Sequence, residues 1–128
     1  MNMQSDFARV RGLGSAKEGT AHWWVQRLTA IVLVPLGLWV AYAAVALAGA
    51  DLATFKAWLA APGNLLLMVL FVGAMFHHMQ LGLQVVVEDY VQGEKAKVTT
   101  LIFIKLGTIF LGVSSLLAIF RVVFGGQA

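Results

Sequence analysis

Two adjacent histidines, His77 and His78, lie in a stretch of the chain, residues 64–87, that contains no Asp, Glu, Lys or Arg. An uncharged stretch of this length predicts a membrane-spanning helix, in which polar side chains are costly and usually face a site or another helix. A neutral imidazole there can ligate the iron of a haem held between helices, or it can hydrogen-bond a neighbouring helix. On spacing alone, both roles stay open for His78.

The depth of His78 in the predicted helix indicates a position inside the bilayer. It lies eleven residues before Asp89, which is about 16 Å along a helix axis and close to mid-bilayer. Gly82 follows one turn later on the same face, where a small residue leaves room for a flat, bulky group or a close helix neighbour. His77 points about 100° away, so one helix cannot offer both rings to the same iron. For His77 we expect packing or an interhelical hydrogen bond.

Polar residues at the ends of the apolar stretches are the other candidates for chemistry. Arg27 precedes the first stretch, where an arginine commonly fixes topology, but its guanidinium also suits carboxylate oxygens such as haem propionates, or a quinone headgroup. Tyr90 directly follows Asp89 at the end of the second stretch. It fits an interfacial aromatic belt, and its O–H can also donate to a carbonyl oxygen. We expect Gln80 and Gln84 to hydrogen-bond across helices.

The composition requires a lipid environment for these side chains. Of 128 residues, 60% are hydrophobic and 12% are charged, and the mean hydropathy is +0.84. A soluble domain carries about 25% charged residues, and a small soluble core cannot bury this much apolar surface. The absence of cysteine excludes disulfides, thiolate nucleophiles, zinc–thiolate sites and iron–sulfur clusters ligated by this chain. The net charge of +3 is too small and too scattered to indicate nucleic acid binding.

Three apolar stretches are long enough to cross a hydrocarbon core of about 30 Å. They predict an all-α membrane protein with helices at about residues 24–50, 64–90 and 98–124. Between the first two, Leu52, Phe55 and Leu59 share one helical face, a pattern compatible with a short helix lying flat on the membrane surface.

Residues 1–22 are polar and glycine-rich and lack the apolar core and cleavage site of a secretory signal. We interpret them as a cytoplasmic arm preceding a membrane domain, residues 23–128. Their two acids weaken the rival interpretation as a mitochondrial presequence. The positive-inside rule places the N-terminus in the cytoplasm and the C-terminus in the periplasm. Six basic residues lie on the proposed cytoplasmic side and two on the other side. The six are Arg9, Arg11, Lys17, Arg27, Lys95 and Lys97, and the two are Lys56 and Arg121.

Three helices alone bury little surface, so we expect a partner subunit. A transporter subunit that uses the histidines as a proton relay is one alternative, although the sequence shows no internal or inverted repeat. A purely structural anchor without haem is another.

The segment from His78 to Tyr90, HMQLGLQVVVEDY, resembles helix two of the hydrophobic membrane anchor of succinate dehydrogenase, the D subunit of respiratory complex II. In that family a histidine, a glycine four residues later, and Asp-Tyr eleven and twelve residues later recur. The segments Gln26-Arg27-Leu-Thr-Ala and Gly19-Thr-Ala-His22-Trp-Trp also look like the family. The similarity covers most of the chain, although the second histidine, His77, is a departure.

The resemblance implies roles for four residues. His78 would be an axial ligand of haem b, with the other axial histidine on a cytochrome b556-type C anchor subunit. Tyr90 would hydrogen-bond a ubiquinone carbonyl, with Asp89 as its acidic neighbour. Arg27 matches an arginine near the haem propionates and the quinone pocket. His22 is one register off the family's histidine, so no role is carried over to it.

The resemblance also implies what surrounds the chain. Its three helices would pack with the C anchor subunit into a haem-binding bundle in the bacterial inner membrane. A flavoprotein subunit would oxidise succinate, an iron–sulfur subunit would carry the electrons, and ubiquinone would accept them. This chain would carry out no carbon chemistry itself. An anchor of fumarate reductase, running the reverse reaction, is a close variant that the sequence does not separate.

Overall fold

A computed structural model describes Val10 and residues 17–125, and within them it contains four helices and no strand. We number them in chain order: α1 is Lys17–Ala46, α2 is Leu52–Ala60, α3 is Pro62–Tyr90 and α4 is Glu94–Phe124. The predicted all-α class is confirmed. Three of the helices, α1, α3 and α4, are long and apolar enough to cross a membrane. The chain is therefore a multi-pass membrane protein.

The predicted helix ends are less accurate than the helices themselves. Helix α1 starts seven residues before the predicted residue 24 and ends four before residue 50, and α4 starts four residues before residue 98. The predictions followed the apolar stretches, but helical hydrogen bonding continues into the polar flanks. Helix α1 ends in a turn at which Gly49 has φ +83°, a conformation that favours glycine. Pro62 is the first residue of α3, where its missing N–H costs nothing.

The predicted division into an arm and a membrane domain stays a prediction. Much of the arm, including Arg9 and Arg11, lies outside the described residues. The last residues of the predicted arm belong to α1, which begins at Lys17.

Helix α3 lies between α1 and α4, and in the described part of the chain α1 and α4 do not pack against each other. The few buried side chains of the long helices are mainly aliphatic; they are Leu36, Ala43, Val72, Leu81, Val87 and Thr108. In the most apolar windows of the three long helices, only 11%, 11% and 6% of the residues are buried inside the chain. Most of their apolar surface therefore faces outward, where lipid or a partner would cover it.

Helix α2 closes one end of the bundle, which we call the α2 end; the opposite end, where α3 finishes, is the Tyr90 end. The Asp51 carboxylate caps α2 by accepting a hydrogen bond of 2.9 Å from the Thr54 N–H. Hydrogen bonding to the side chain and backbone of Thr54 lowers the pKa of Asp51 below its ordinary value. The expected helix is confirmed, but its apolar face is divided: Leu59 is buried, whereas Leu52 is exposed.

Candidate functional site

The imidazole of His78 is tied to the neighbouring helix by a hydrogen bond. Its Nδ1 atom lies 2.9 Å from Oγ1 of Thr29 on α1. The same Thr29 oxygen lies 2.9 Å from the carbonyl oxygen of Val25 and 2.9 Å from that of Gln26. Both side chains of the pair are half-buried. The interhelical hydrogen bond that sequence analysis kept open for His78 is therefore present, and it occupies only one of the two ring nitrogens.

The second ring nitrogen, His78 Nε2, remains accessible from outside the bundle. Among the described residues no group hydrogen-bonds it, and the chain does not enclose it. A half-buried imidazole with one nitrogen held internally and the other open is suited to a ligand that approaches from outside this chain. In the described part of the chain, no cluster of three or more His, Cys, Asp or Glu residues could hold a metal alone. A metal bound here would need ligands from elsewhere.

Gly82 faces α1, one turn beyond His78. A Cβ atom added there would lie 4.0 Å from Nε2 of Gln26. Together with the pair of Thr29 and His78, this contact shows that α1 and α3 run antiparallel and in close register. The N-terminal part of α1 therefore lies beside the C-terminal part of α3, at the Tyr90 end. Because 4.0 Å is an ordinary van der Waals contact with the end of a flexible side chain, packing within the described residues does not require a glycine here.

His77 lies on the other side of α3, as its predicted 100° offset requires. It is exposed and lines a groove of about 220 Å³ between α3 and α4, together with Phe76, Thr108 and Gly112. It makes no hydrogen bond to any residue that the structure describes. Of the two roles expected for His77, packing is the one that the structure supports.

Arg27 lies at the Tyr90 end, with its guanidinium over an aromatic ring. Its guanidinium carbon is 4.4 Å from the centroid of the Trp23 ring, which is a cation–π distance. Trp23 itself meets Trp24 edge to face, with 5.1 Å between ring centroids. Arg27 is exposed and forms no ion pair with the described residues. The aromatic contact positions the guanidinium while leaving its N–H groups available to an anion or a carbonyl.

Asp89 and Tyr90 are exposed at the last turn of α3, and Tyr90 has 80% of its surface accessible. Neither side chain hydrogen-bonds a residue in the described ranges. The structure therefore brings Arg27, Asp89 and Tyr90 to one end of the bundle without joining them. Their polar groups are free to meet a molecule or subunit that covers this end.

The glutamines on α3 do not behave as expected. The prediction that Gln84 bonds across helices is wrong, because its Nε2 donates to Oε1 of Glu88 at 2.8 Å, one turn along the same helix. A side chain at i+4 is always within reach on a helix surface, whereas a partner on another helix must be placed by packing. Gln80 lines the grooves between α3 and α4 and makes no hydrogen bond within the described residues.

Two polar residues of α1 have surroundings that the sequence did not predict. Thr29 is one, and the only indication of a role in the sequence is that its hydroxyl lies in an apolar stretch. His22 lies on the same face of α1 as Gln26 and Thr29, and its Nε2 is buried without a hydrogen-bond partner among the described residues. Buried polar atoms are normally paired, so His22 stands out among the described residues as a buried ring nitrogen without a partner.

Comparison with known proteins decides the family. The profile of the family "Succinate dehydrogenase/Fumarate reductase transmembrane subunit" matches residues 1–117. This chain belongs to that family. The resemblance noted in its sequence is therefore confirmed. No solved structure is significantly similar to the chain.

The relatives within this transmembrane-subunit family are named succinate dehydrogenase hydrophobic membrane anchor subunits. The protein from Rickettsia bellii is 35% identical over 119 residues, covering 93% of this chain and 95% of the relative. The protein from Rickettsia conorii is 30% identical over 93% of this chain and 95% of its own length. The protein from Paracoccus denitrificans is 33% identical over 77% of this chain and 76% of its own length. These relatives are anchors of an enzyme complex rather than catalytic chains, as expected for this chain.

Proposed function

We propose that this chain is the membrane anchor subunit of a succinate:quinone oxidoreductase, and that it contributes one axial ligand to haem b and part of the ubiquinone-reduction site. The observation that carries the haem proposal is the hydrogen bonding of the two ring nitrogens of His78. Its Nδ1 is bonded inside the chain, while Nε2 has no partner among the described residues and is open to the outside. A haem shared between two anchor subunits requires an imidazole presented in this way.

The residues present fit half of a haem site. His78 lies in the interior of a long, mainly apolar helix, and a haem requires an apolar slot between helices. The other axial ligand would come from a cytochrome b556-type C anchor subunit. When bound, the haem supplies one-electron redox chemistry. This chain's contribution is to hold the imidazole and, through Arg27 at the Tyr90 end, to offer a cation to the propionates.

The quinone part of the proposal depends on the exposed groups at the Tyr90 end. The Tyr90 O–H is a donor for a quinone carbonyl, and donors aimed at developing negative charge stabilise a reduction that adds electrons before protons. Asp89, next to it in the sequence, would take part in proton delivery. Arg27, held against Trp23 at 4.4 Å, offers further donors. None of these three is committed to a partner among the described residues, which suits a pocket completed by other subunits.

The partners and membrane placement follow from the same proposal. A flavoprotein subunit would oxidise succinate in the tricarboxylic acid cycle, and an iron–sulfur subunit would pass electrons to ubiquinone at the Tyr90 end. The sparsely buried apolar faces of the three long helices would be covered by lipid and by the C anchor subunit. The excess of basic residues puts the N-terminus in the cytoplasm of a bacterial cell and the C-terminus across the inner membrane in the periplasm.

A fumarate reductase anchor is the second candidate, because the family's description covers both enzymes. The two run the same chemistry in opposite directions and use the same anchor architecture. Succinate oxidation with ubiquinone, measured against fumarate reduction with a reduced quinone, separates them.

The direct test is isolation of the complex through a tag on this chain from its own membrane. We expect a flavoprotein and an iron–sulfur protein to co-purify, together with succinate–ubiquinone reductase activity and a b-type α-band after reduction with dithionite. A preparation with the activity but no α-band would contradict the haem proposal and leave the anchor role. A preparation with neither partner nor activity would contradict the function as a whole.

A further inference from the structure

Thr29 is held in one hydrogen-bonding state by its own helix. Its Oγ1 lies 2.9 Å from each of two backbone carbonyl oxygens, those of Val25 and Gln26. Carbonyl oxygens only accept hydrogen bonds, so at these distances the single hydroxyl proton of Thr29 must point toward them. The lone pairs of the same oxygen are then left for His78 Nδ1, which lies 2.9 Å away.

The proton on the His78 ring is placed by this arrangement. Since Thr29 Oγ1 acts as the acceptor, Nδ1 must carry the hydrogen and donate it. A neutral imidazole has one N–H, so Nε2 carries the lone pair. Nε2 is also the nitrogen that is open to the outside of the bundle. The nitrogen that carries the lone pair is therefore also the accessible one.

We infer that Thr29 is a positioning residue for His78: it fixes the Nδ1–H tautomer and the ring orientation, so that the Nε2 lone pair is the one presented for ligation. This inference rests on the proposed haem-ligand role of His78. Metal-ligating histidines generally donate their second N–H to an acceptor, which orients the ring and raises the basicity of the ligating nitrogen. Here a hydroxyl that is itself anchored to its helix backbone serves as that acceptor, from the neighbouring helix of the same subunit.

The expected consequence is a shift in the redox equilibrium of the haem. A hydrogen bond donated by the imidazole makes the ligating nitrogen a stronger electron donor, which favours ferric over ferrous iron. Removing the acceptor should therefore raise the midpoint potential. A change of about three- to tenfold in the redox equilibrium is the scale of one hydrogen bond, which corresponds to roughly 30 to 60 mV for a one-electron couple.

The test compares Thr29→Val with Thr29→Ser in the intact complex. Valine keeps the shape of threonine but has no hydroxyl, whereas serine keeps the hydroxyl. The matched control is Thr108→Val on α4, because the Thr108 hydroxyl likewise bonds the carbonyls of its own helix, those of Ile104 and Lys105, but is not hydrogen-bonded to a histidine. Haem content, the midpoint potential and the electron paramagnetic resonance spectrum of the ferric haem are measured for each.

We expect Thr29→Val to raise the potential and shift the ferric spectrum, with Thr29→Ser and Thr108→Val close to wild type. Loss of haem from Thr29→Val alone would also support the inference, since an unoriented ring ligates poorly. An unchanged or lowered potential would overturn it, as would an equal shift in Thr108→Val. If Thr29→Val fails to assemble, Thr29→Ala gives the same comparison. Wild-type complex without haem would instead contradict the proposed function.

Discussion

Helix α3 meets its two neighbours in different ways. Against α1 it makes a polar contact between His78 and Thr29, and the Gln26 side chain lies near Gly82 one turn away. Against α4 the contact is mainly steric. A Cβ at Gly112 would lie 3.5 Å from Phe76, and the grooves beside it leave His77 without a hydrogen bond to the described residues.

The difference shows why two adjacent histidines need not share a role. One residue of offset turns His77 toward α4, where nothing in the described chain fixes its ring, and turns His78 toward an oriented acceptor on α1. A ligand must be held in one orientation, so the proposed haem-ligand role fits the α1–α3 interface, where His78 is hydrogen-bonded, better than the α3–α4 interface. The α3–α4 interface is mainly a packing contact. Substitutions at the α1–α3 interface should therefore change redox properties, whereas substitutions at the α3–α4 interface should impair assembly.

The largest effect is expected from Tyr90→Phe at the Tyr90 end. Loss of the O–H should lower succinate–ubiquinone reductase activity by roughly a hundredfold, the scale of losing one donor to developing charge. Succinate oxidation with an artificial acceptor should stay close to wild type, because that reaction bypasses the quinone. The control is Tyr42→Phe on α1, also exposed, which should leave both activities unchanged. Equal loss of both activities in Tyr90→Phe would indicate misassembly and contradict the role given to this tyrosine.

On the opposite interface, Gly112→Leu should reduce the amount of assembled complex. A Cβ at this position would meet Phe76 atoms at 3.5 to 3.6 Å, so alanine fits, and we expect the larger side chain of leucine to push against the Phe76 ring. Overpacking of this kind costs about 1 to 3 kcal/mol, and roughly a fivefold or greater loss of complex is expected on a native gel. Gly112→Ala is the control and should assemble normally. Full assembly of the leucine variant would contradict the close α3–α4 contact.

A smaller effect is expected at Arg27. Arg27→Gln removes the charge, and we expect a several-fold higher KM for ubiquinone if the guanidinium binds the quinone carbonyl, or a shifted haem potential if it binds the propionates. Arg27→Lys retains the charge but loses the planar fork that suits bidentate binding, and it should fall between wild type and the glutamine variant. The control is Lys56→Gln, which removes one positive charge at the opposite, α2 end of the bundle. Wild-type behaviour of Arg27→Gln in both measurements would reduce Arg27 to a topology signal.

The smallest effect is expected at Asp51. Hydrogen bonds from Thr54 lower the pKa of Asp51 in the folded chain, so its carboxylate stabilises the start of α2 above the ordinary pKa of 3.8. This stabilisation decreases as the pH falls through the lowered folded value. Hydrogen exchange at the Thr54 amide should therefore accelerate, relative to neighbouring amides, only in that acid range. In Asp51→Ala the amide should exchange faster at neutral pH as well, with quinone reduction unchanged. Equal protection in both chains would contradict the cap.

Sequence reasoning predicted the features that depend on one helix at a time. Apolar stretches identified the three spans, and the 100° offset correctly separated His77 from His78. Helix ends were less predictable, since α1 begins at Lys17 among polar residues that carry no hydropathy signal. The expectation for Gln84 is wrong because Glu88, one turn along the same helix, offers its side chain an acceptor at 2.8 Å.

Features that depend on two helices required the structure. The pairing of Thr29 with His78 depends on the register between α1 and α3, and one turn of slippage would place Leu33 or Gln26 opposite the ring instead. The sequence gives no direct measure of that register. The same reason explains why the buried Nε2 of His22 was not anticipated.

The haem-ligand role of His78 is tested most directly by one matched pair of variants. His78→Ala and His77→Ala are introduced separately, and dithionite-reduced spectra of the purified complexes are compared with wild type. The α1–α3 arrangement predicts that His78→Ala loses or shifts the b-type α-band, while His77→Ala retains it at wild-type intensity. An unchanged band in His78→Ala together with a lost band in His77→Ala would contradict the account and move the ligand to the α4 side of the helix.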